Sequence, residues 1–306
     1  MFKRLRHKLL TDTNKNSLVL LYGTVLSQLL PLLFSPVLAR LYTPAEFGAF
    51  SLFYGIVAIL GNISAGKLDL ALYTAGSHKN AVITAASGLT FCVTFSAVVF
   101  IACLIAVVFF STEKLSVSAI VCIPLTVSFL GGANIMVALS NREKKFMIIS
   151  RAKMILGAVW VLVNILLGFF ATGAIGLIFG YCLGQFFSMV YLLHHNKDDL
   201  LSINFNSRIF KFNVIRNKNY SLIFLPAHLL NTASASAPAF FLSYLFSLNA
   251  NGFFFKAARV GESPTNIIRN SLGNIFWQQA SHNYITHGNA RQTMQHFLLK
   301  LLFLGL

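Results

Sequence analysis

An all-helical fold that crosses a membrane many times is what this sequence predicts, and three observations carry the expectation. Of 306 residues, 56% are hydrophobic and only 10% are charged, with a mean hydropathy of +0.71. A water-soluble domain carries about a quarter of its residues as Asp, Glu, Lys or Arg. The apolar runs are about 20 residues or longer, enough to cross a roughly 30 Å hydrocarbon core as helices. They do not alternate, whereas strands of a membrane barrel come as short alternating segments. Backbone donors and acceptors in hydrocarbon must be paired within the protein, so helices are what remain.

The chain opens with a basic tail, residues 1–16, carrying Lys3, Arg4, Arg6 and Lys8. Its apolar step is two leucines long, too short for a cleavable signal peptide. It is expected to lie on anionic lipid. Span 1 follows at about Ser17–Ala39, with Pro31 and Pro36 in its outer half. In the loop RLYTPAEFG, Thr43 can cap the next helix, Pro44 suits its first turn, and Glu46 completes a capping box. Span 2 runs from there to about Gly66. Span 3 covers about Ala81–Phe110, and span 4 about Leu115–Leu139, with breaks expected at Pro124 and Gly131-Gly132. Span 5 covers about Phe146–Phe170 and span 6 about Ala174–Leu193. Gly176, Gly180 and Gly184, four residues apart on span 6, predict close helix packing. Residues 194–219 are polar and read as a linker. Span 7 covers about Tyr220–Phe246, with Pro226 and Pro238, and span 8 about Gly252–Gln279. The run Phe297–Leu306 reads as the start of a ninth helix, so a six-helix N-terminal lobe (17–193) precedes an incomplete C-terminal lobe (220–306).

Net charge is +16. In a soluble protein that would suggest nucleic acid. Here the connections account for it. Sixteen Lys and Arg fall in the tail and the connections on its side of the membrane, against Arg40 and Lys114 on the other side. That asymmetry places the N-terminus in the cytoplasm, and no nucleic-acid partner is expected. The four cysteines sit within apolar runs without a C-x-x-C pair, so neither a disulfide framework nor a zinc site is expected. HHNKDD at 194–199 reads as a charged linker without partner ligands. His228 reads as an interfacial histidine or a proton relay. No catalytic constellation, phosphate loop or cofactor motif stands out.

Six basic residues remain unexplained by the connections: Arg151, Lys153, Lys256, Arg259, Arg269 and Lys300. A charge at the bilayer centre costs about 2.5–3.5 kcal/mol or more. In GFFFKAARVGESPTNIIRN (252–270), Arg259, Glu262 and Arg269 fall within roughly 80° of one another on a helix, and Lys256 widens the stripe to roughly 140°. Their depths would run from about 6 to about 25 Å below the outer end. Arg259 and Glu262 can pair three residues apart. Two readings stay open. Lys256 and Arg269 could snorkel to the two interfaces around a structural Arg259–Glu262 pair, or the stripe could be a path for an anionic substrate. Lys67 and Asp69, in SAGKLDLAL, are an interfacial ion pair or part of an inner vestibule.

The segment ARLYTPAEFGAFSLFYGIVAILGNISAGKLDLAL (39–72) carries Tyr42, Thr43, Pro44, Phe47 and Gly48, then Gly66, Lys67, Asp69 and Ala71. This resembles the signature of polysaccharide flippases of the Wzx type, in the multidrug/oligosaccharidyl-lipid/polysaccharide exporter superfamily. SNREKKFMIISRAKM and LPAHLLNTASASAPAFFLSYLFSLNANGFFFKAARV are similar to the same family. The resemblance implies two six-helix lobes around a central cavity and alternating access. It implies an undecaprenyl-diphosphate-linked oligosaccharide as substrate, carried between the leaflets of a bacterial inner membrane. A polysaccharide polymerase and a chain-length regulator are the implied partners, and no cofactor is expected. On that reading Lys256, Arg259, Arg269, Arg151, Lys153 and Lys67 would meet the diphosphate, since guanidinium groups match phosphate oxygens bidentately. Glu262 and Asp69 would couple transport to protons or sodium ions. The alternatives are a multidrug exporter of the same superfamily, a membrane glycosyltransferase, and a non-transporting fragment.

Overall fold

The computed structural model describes residues 29–109, 116–202 and 207–261, together with Val25, Met294, Gln295 and Leu298. These residues form helices without strands. Residues 29–33 are helical, and α1 (Ser35–Leu41) follows a break at Phe34 between the two prolines. The capping box expected at α2 (Pro44–Ile63) is present: Glu46 N–H donates to Thr43 Oγ1 at 3.4 Å, and Thr43 N–H donates to Glu46 Oε2 at 2.7 Å. Two of the donors that a helix start leaves unpaired are satisfied this way.

α2 stops earlier than the expected Gly66. Gly66 and Lys67 both take left-handed backbone angles, φ 58° in each, which no α-helix continues. A short α3 (Leu68–Thr74) then fills what reads in the sequence as a plain connection. α4 (His78–Phe109), α5 (Val117–Arg142), α6 (Phe146–Phe169) and α7 (Ala174–His195) follow the predicted spans 3 to 6. α5 differs from expectation in running unbroken through Pro124, Gly131 and Gly132. Its glycines serve packing: a Cβ on Gly131 would overlap Ser64 Oγ and Cys92 Sγ. α6 and α7 make the most extensive helix pair. As their glycine spacing predicts, a Cβ on Gly180 would overlap Asn164, and one on Gly184 would lie 3.0 Å from the carbonyl oxygen of Leu156.

The polar stretch after α7 is structured where described. It holds α8 (Lys197–Leu201), α9 (Ser207–Arg216) and a π-turn (Tyr220–Phe224) that opens α10 (Leu225–Leu245). The last described helix, α11, spans 248–261. Among the described residues, α2, α4, α5, α6 and α7 are long and apolar enough to cross a membrane. α10, which covers predicted span 7, is not among them, because its serines, His228 and Asn231 dilute its hydropathy. It packs along α2: Ser221 Oγ donates to the carbonyl of Gly66 at one end, and Phe240 meets Gly55 midway.

The core has two parts. Around α1, the start of α2 and the second half of α6, Leu38, Phe50, Phe53, Trp160 and Leu177 are buried together. Toward the other end, Leu72, Ala81, Leu139 and Leu192 form a second cluster. Beside the first cluster α11 crosses α2. A Cβ on Gly48 would overlap the carbonyl of Leu248, and one on Gly252 would overlap that of Pro44. Asn251, 0% exposed, donates Nδ2 to the carbonyl oxygen of Gly48 at 3.0 Å, and its Oδ1 accepts from Ser51 Oγ at 3.3 Å. Asn251→Ala removes the side-chain donor that this carbonyl has across the helix crossing and the acceptor that Ser51 Oγ uses. A stability loss of about 1–3 kcal/mol is expected, to be read as a lower melting temperature of the purified protein.

Candidate functional site

Two turns of α11 past the Asn251 crossing bring two of the predicted cations to one place. Lys256 and Arg259 are three residues apart, so they share a face. Both are half-buried. Lys256 Nζ stands 4.2 Å from the ring centre of Phe47, at the start of α2. The Arg259 guanidinium lies 4.2 Å from the ring centre of Trp160 on α6, and 5.7 Å from that of Phe255. Behind Trp160 is an aromatic cluster. Phe50 packs 6.3 Å from Trp160, 6.1 Å from Tyr181 and 5.6 Å from Phe255. Tyr54 packs 5.4 Å from Tyr181. Ring faces carry partial negative charge, so a stacked cation gains about 0.5–2 kcal/mol without being neutralised. A guanidinium is planar and presents its donors in its own plane, a geometry that matches phosphate and carboxylate oxygens.

These groups line a shallow, open groove, bordered also by Pro31, Leu32, Ser35 and Leu38. Among the described residues, the groove's ionisable side chains are Lys256 and Arg259, both basic. Its chemistry therefore suits an anionic group carried on an apolar or ring-bearing molecule.

The other predicted residues are spread out. Lys153 lies seven residues before Trp160 on α6, two turns away on the same face, and is half-buried. Arg151 falls on the opposite face and is exposed, so the fold does not bring it to the groove. Lys67 and Asp69 sit beyond the far end of α2, about 30 Å along its axis from Phe47. Lys67 Nζ is 3.8 Å from Asp69 Oδ2, with side chains 5% and 20% exposed. Lys67 is thus a buried cation held in a left-handed turn, with Ser221 of the π-turn beside it on Gly66. Glu262 and Arg269, along with Lys300, lie outside the described residues, as does the expected Arg259–Glu262 pair.

Sequence reasoning did not select Trp160, Phe47 or Phe255. One signal was available: Phe47 belongs to the Y-T-P-x-x-F loop, which places a ring on the first turn of α2.

The expectation that HHNKDD lacks partners is corrected. Asp199 meets residues distant in sequence: Lys145 Nζ at 3.1 Å and His78 Nε2 at 3.3 Å. Glu143 takes the other ring nitrogen of His78 at 3.2 Å and also pairs with Lys145. Ligand atoms of His78, Glu143 and Asp199 lie within 4.8 Å of one another, a spacing that could suit a cation. Lys145 already supplies positive charge to both carboxylates. Burial works against that charge, yet the bonds to Glu143 and Asp199 hold its ammonium above the usual lysine pKa. The cluster reads as a clasp joining the start of α4, the α5–α6 turn and α8.

A family model described as polysaccharide biosynthesis protein matches residues 37–305. No curated protein matches the chain. Two solved structures share the fold. One is described as the outward-facing conformation of a multidrug resistance MATE family transporter of the MOP superfamily. It is 13% identical, with a TM-score of 0.53 over 95% of this chain and 78% of that one. The other is a MOP superfamily transporter from Pyrococcus furiosus, described as having a binding pocket of reverse polarity that suggests a different function. It is 14% identical, with a TM-score of 0.50 over 94% of this chain and 75% of that one. The all-helical, multi-pass architecture is therefore that of MOP superfamily transporters, and by a match spanning most of its length the chain belongs to the polysaccharide biosynthesis protein family.

Proposed function

We propose that this protein is a flippase for undecaprenyl-diphosphate-linked oligosaccharide repeat units, moving them from the cytoplasmic to the periplasmic leaflet of a bacterial inner membrane for surface polysaccharide synthesis. One observation carries the reading: Arg259 is presented over Trp160, beside Lys256, in an open groove of a polysaccharide biosynthesis family member. A diphosphate brings about two negative charges that hydrocarbon rejects, and charge-assisted bonds from Arg are the strong ones available. The lipid tail stays in the bilayer while the head group passes cations at graded depth: Lys256, Arg259, Lys153 and, near the far end of α2, Lys67, with Arg269, outside the described residues, as the further cation that the sequence offers.

In this reading residues 17–193 form one lobe, 194–219 a cytoplasmic linker, and 220 onward the second lobe, with the N-terminus cytoplasmic. Alternating access exposes the groove to each side in turn. Asp69 and Glu262 are the groups to examine for coupling to protons or sodium ions. A polymerase and a chain-length regulator would receive the product. A multidrug exporter of cationic compounds is the second reading, and the fold suits it equally. Lys256 and Arg259, the ionisable side chains of the groove among the described residues, favour an anion.

The test is complementation in a strain lacking the protein. Arg259→Ala combined with Arg269→Ala is expected to lower surface polysaccharide by at least about tenfold, the worth of one lost charge-assisted bond, while the protein still reaches the membrane at normal levels. Wild-type surface polysaccharide from the double variant would sink the proposal.

A further inference from the structure

The stretch 203–219, INFNSRIFKFNVIRNKN, holds four basic residues, Arg208, Lys211, Arg216 and Lys218, and neither Asp nor Glu. Much of it is α9, and two bonds set how that helix is turned. Asn213, 6% exposed, donates Nδ2 to Thr84 Oγ1 of α4 at 3.2 Å. Asn217 donates Nδ2 to Asn213 Oδ1 at 3.1 Å. With Asn213 facing α4, a rotation of about 100° per residue puts Phe212 and Ile215 roughly 100° and 160° away from it. Phe212 is 67% and Ile215 55% exposed. Lys211, Arg216 and Lys218 are exposed as well.

Apolar and basic side chains sharing one outward surface, on a helix bound edgewise to a membrane-spanning one, suit a helix lying in the plane of a membrane interface. The location agrees. Thr84 is less than two turns from the start of α4, at the end where the His78–Asp199 clasp sits. The next segment, the π-turn, exposes Leu222 (67%) and Ile223 (65%), as a chain entering hydrocarbon does. Basic residues beside the bilayer are drawn to anionic lipid, and this stretch has no carboxylate to offset them.

We propose that the outer face of α9, formed by Lys211, Phe212, Ile215 and Arg216, together with Lys218 just past its end, is a docking surface for anionic phospholipid head groups in the leaflet at this end of the molecule. Phe212 and Ile215 enter the acyl boundary and the three cations bind the phosphates above it. The surface is separate from the groove. It holds the joint between α7 and α10 at head-group depth.

The full chain, with its native cysteines replaced and Phe212→Cys carrying an environment-sensitive fluorophore, is assembled into nanodiscs. One set is phosphatidylcholine and the other contains about one part in four phosphatidylglycerol. In the anionic discs the label is quenched by brominated lipid and shielded from iodide. The ratio of the two quenching constants falls by at least about fivefold in neutral discs or when K211Q, R216Q and K218Q are combined, the effect of losing about one basic contact or more. High salt acts in the same direction on the unaltered charges, which keeps the test independent of how the triple variant folds. A label quenched by iodide alike in both discs overturns the proposal. So does one that neither quencher reaches, since protein would then cover the face.

Discussion

Gly252→Val is expected to drive α11 off α2 and to lower stability by more than about 3 kcal/mol. Overpacking a core ordinarily costs about 1–3 kcal/mol, because side chains can move aside. Here the obstacle is main chain. The first added carbon already overlaps the carbonyl oxygen of Pro44, with the amide nitrogen of Gly48 3.1 Å away. Neither can rotate out of the way, and the buried bonds of Asn251 to Gly48 and Ser51 depend on the same approach. Gly252→Ala should act in the same direction with a smaller effect. Gly76→Val is the control, since a Cβ there meets nothing within 4 Å. Thermal unfolding of the purified protein reads the difference. Equal melting temperatures for the Gly252 and Gly76 variants would show that the helices do not cross at this glycine pair.

Asp69→Ala is the second large effect. Lys67 is 4% exposed, and its ammonium has Asp69 at 3.8 Å as its ion-pair partner. Removing one member of a buried pair strands the other charge and costs about 3–5 kcal/mol. Lys67→Met combined with Asp69→Leu is expected to recover most of that loss, because no charge then remains buried. A double-mutant cycle on melting free energies gives the coupling. Coupling below about 0.5 kcal/mol would mean that the two groups do not act on each other. The cycle also separates roles at this site. If the apolar pair restores stability but not surface polysaccharide, the charged pair serves transport as well as stability.

Much of this architecture is written locally along the chain. α6 and α7 lie within two residues of their predicted limits, because apolar runs bounded by polar residues leave the backbone few choices in hydrocarbon. The Thr43–Glu46 capping box was legible for the same reason, since its partners are three residues apart. α5 shows the limit of local reading. Its proline and glycines look like breaks in isolation, yet neighbouring helices need those glycines for close approach. Lys256 and Arg259 could be selected by period and by the cost of burying charge. Their platforms could not, because Phe47 and Trp160 lie roughly one hundred or more residues away and rings are common in this chain.

Composition, hydropathy and cap chemistry alone dictate an all-helical membrane protein with cations concentrated in one late helix. They do so because solvation of backbone and charge is paid residue by residue. Only the packed chain decides that Arg259 meets Trp160, that Arg151 turns away, and that Asp199 finds His78 and Lys145. Those outcomes depend on helix rotation and on glycine contacts between distant segments, which no local period encodes.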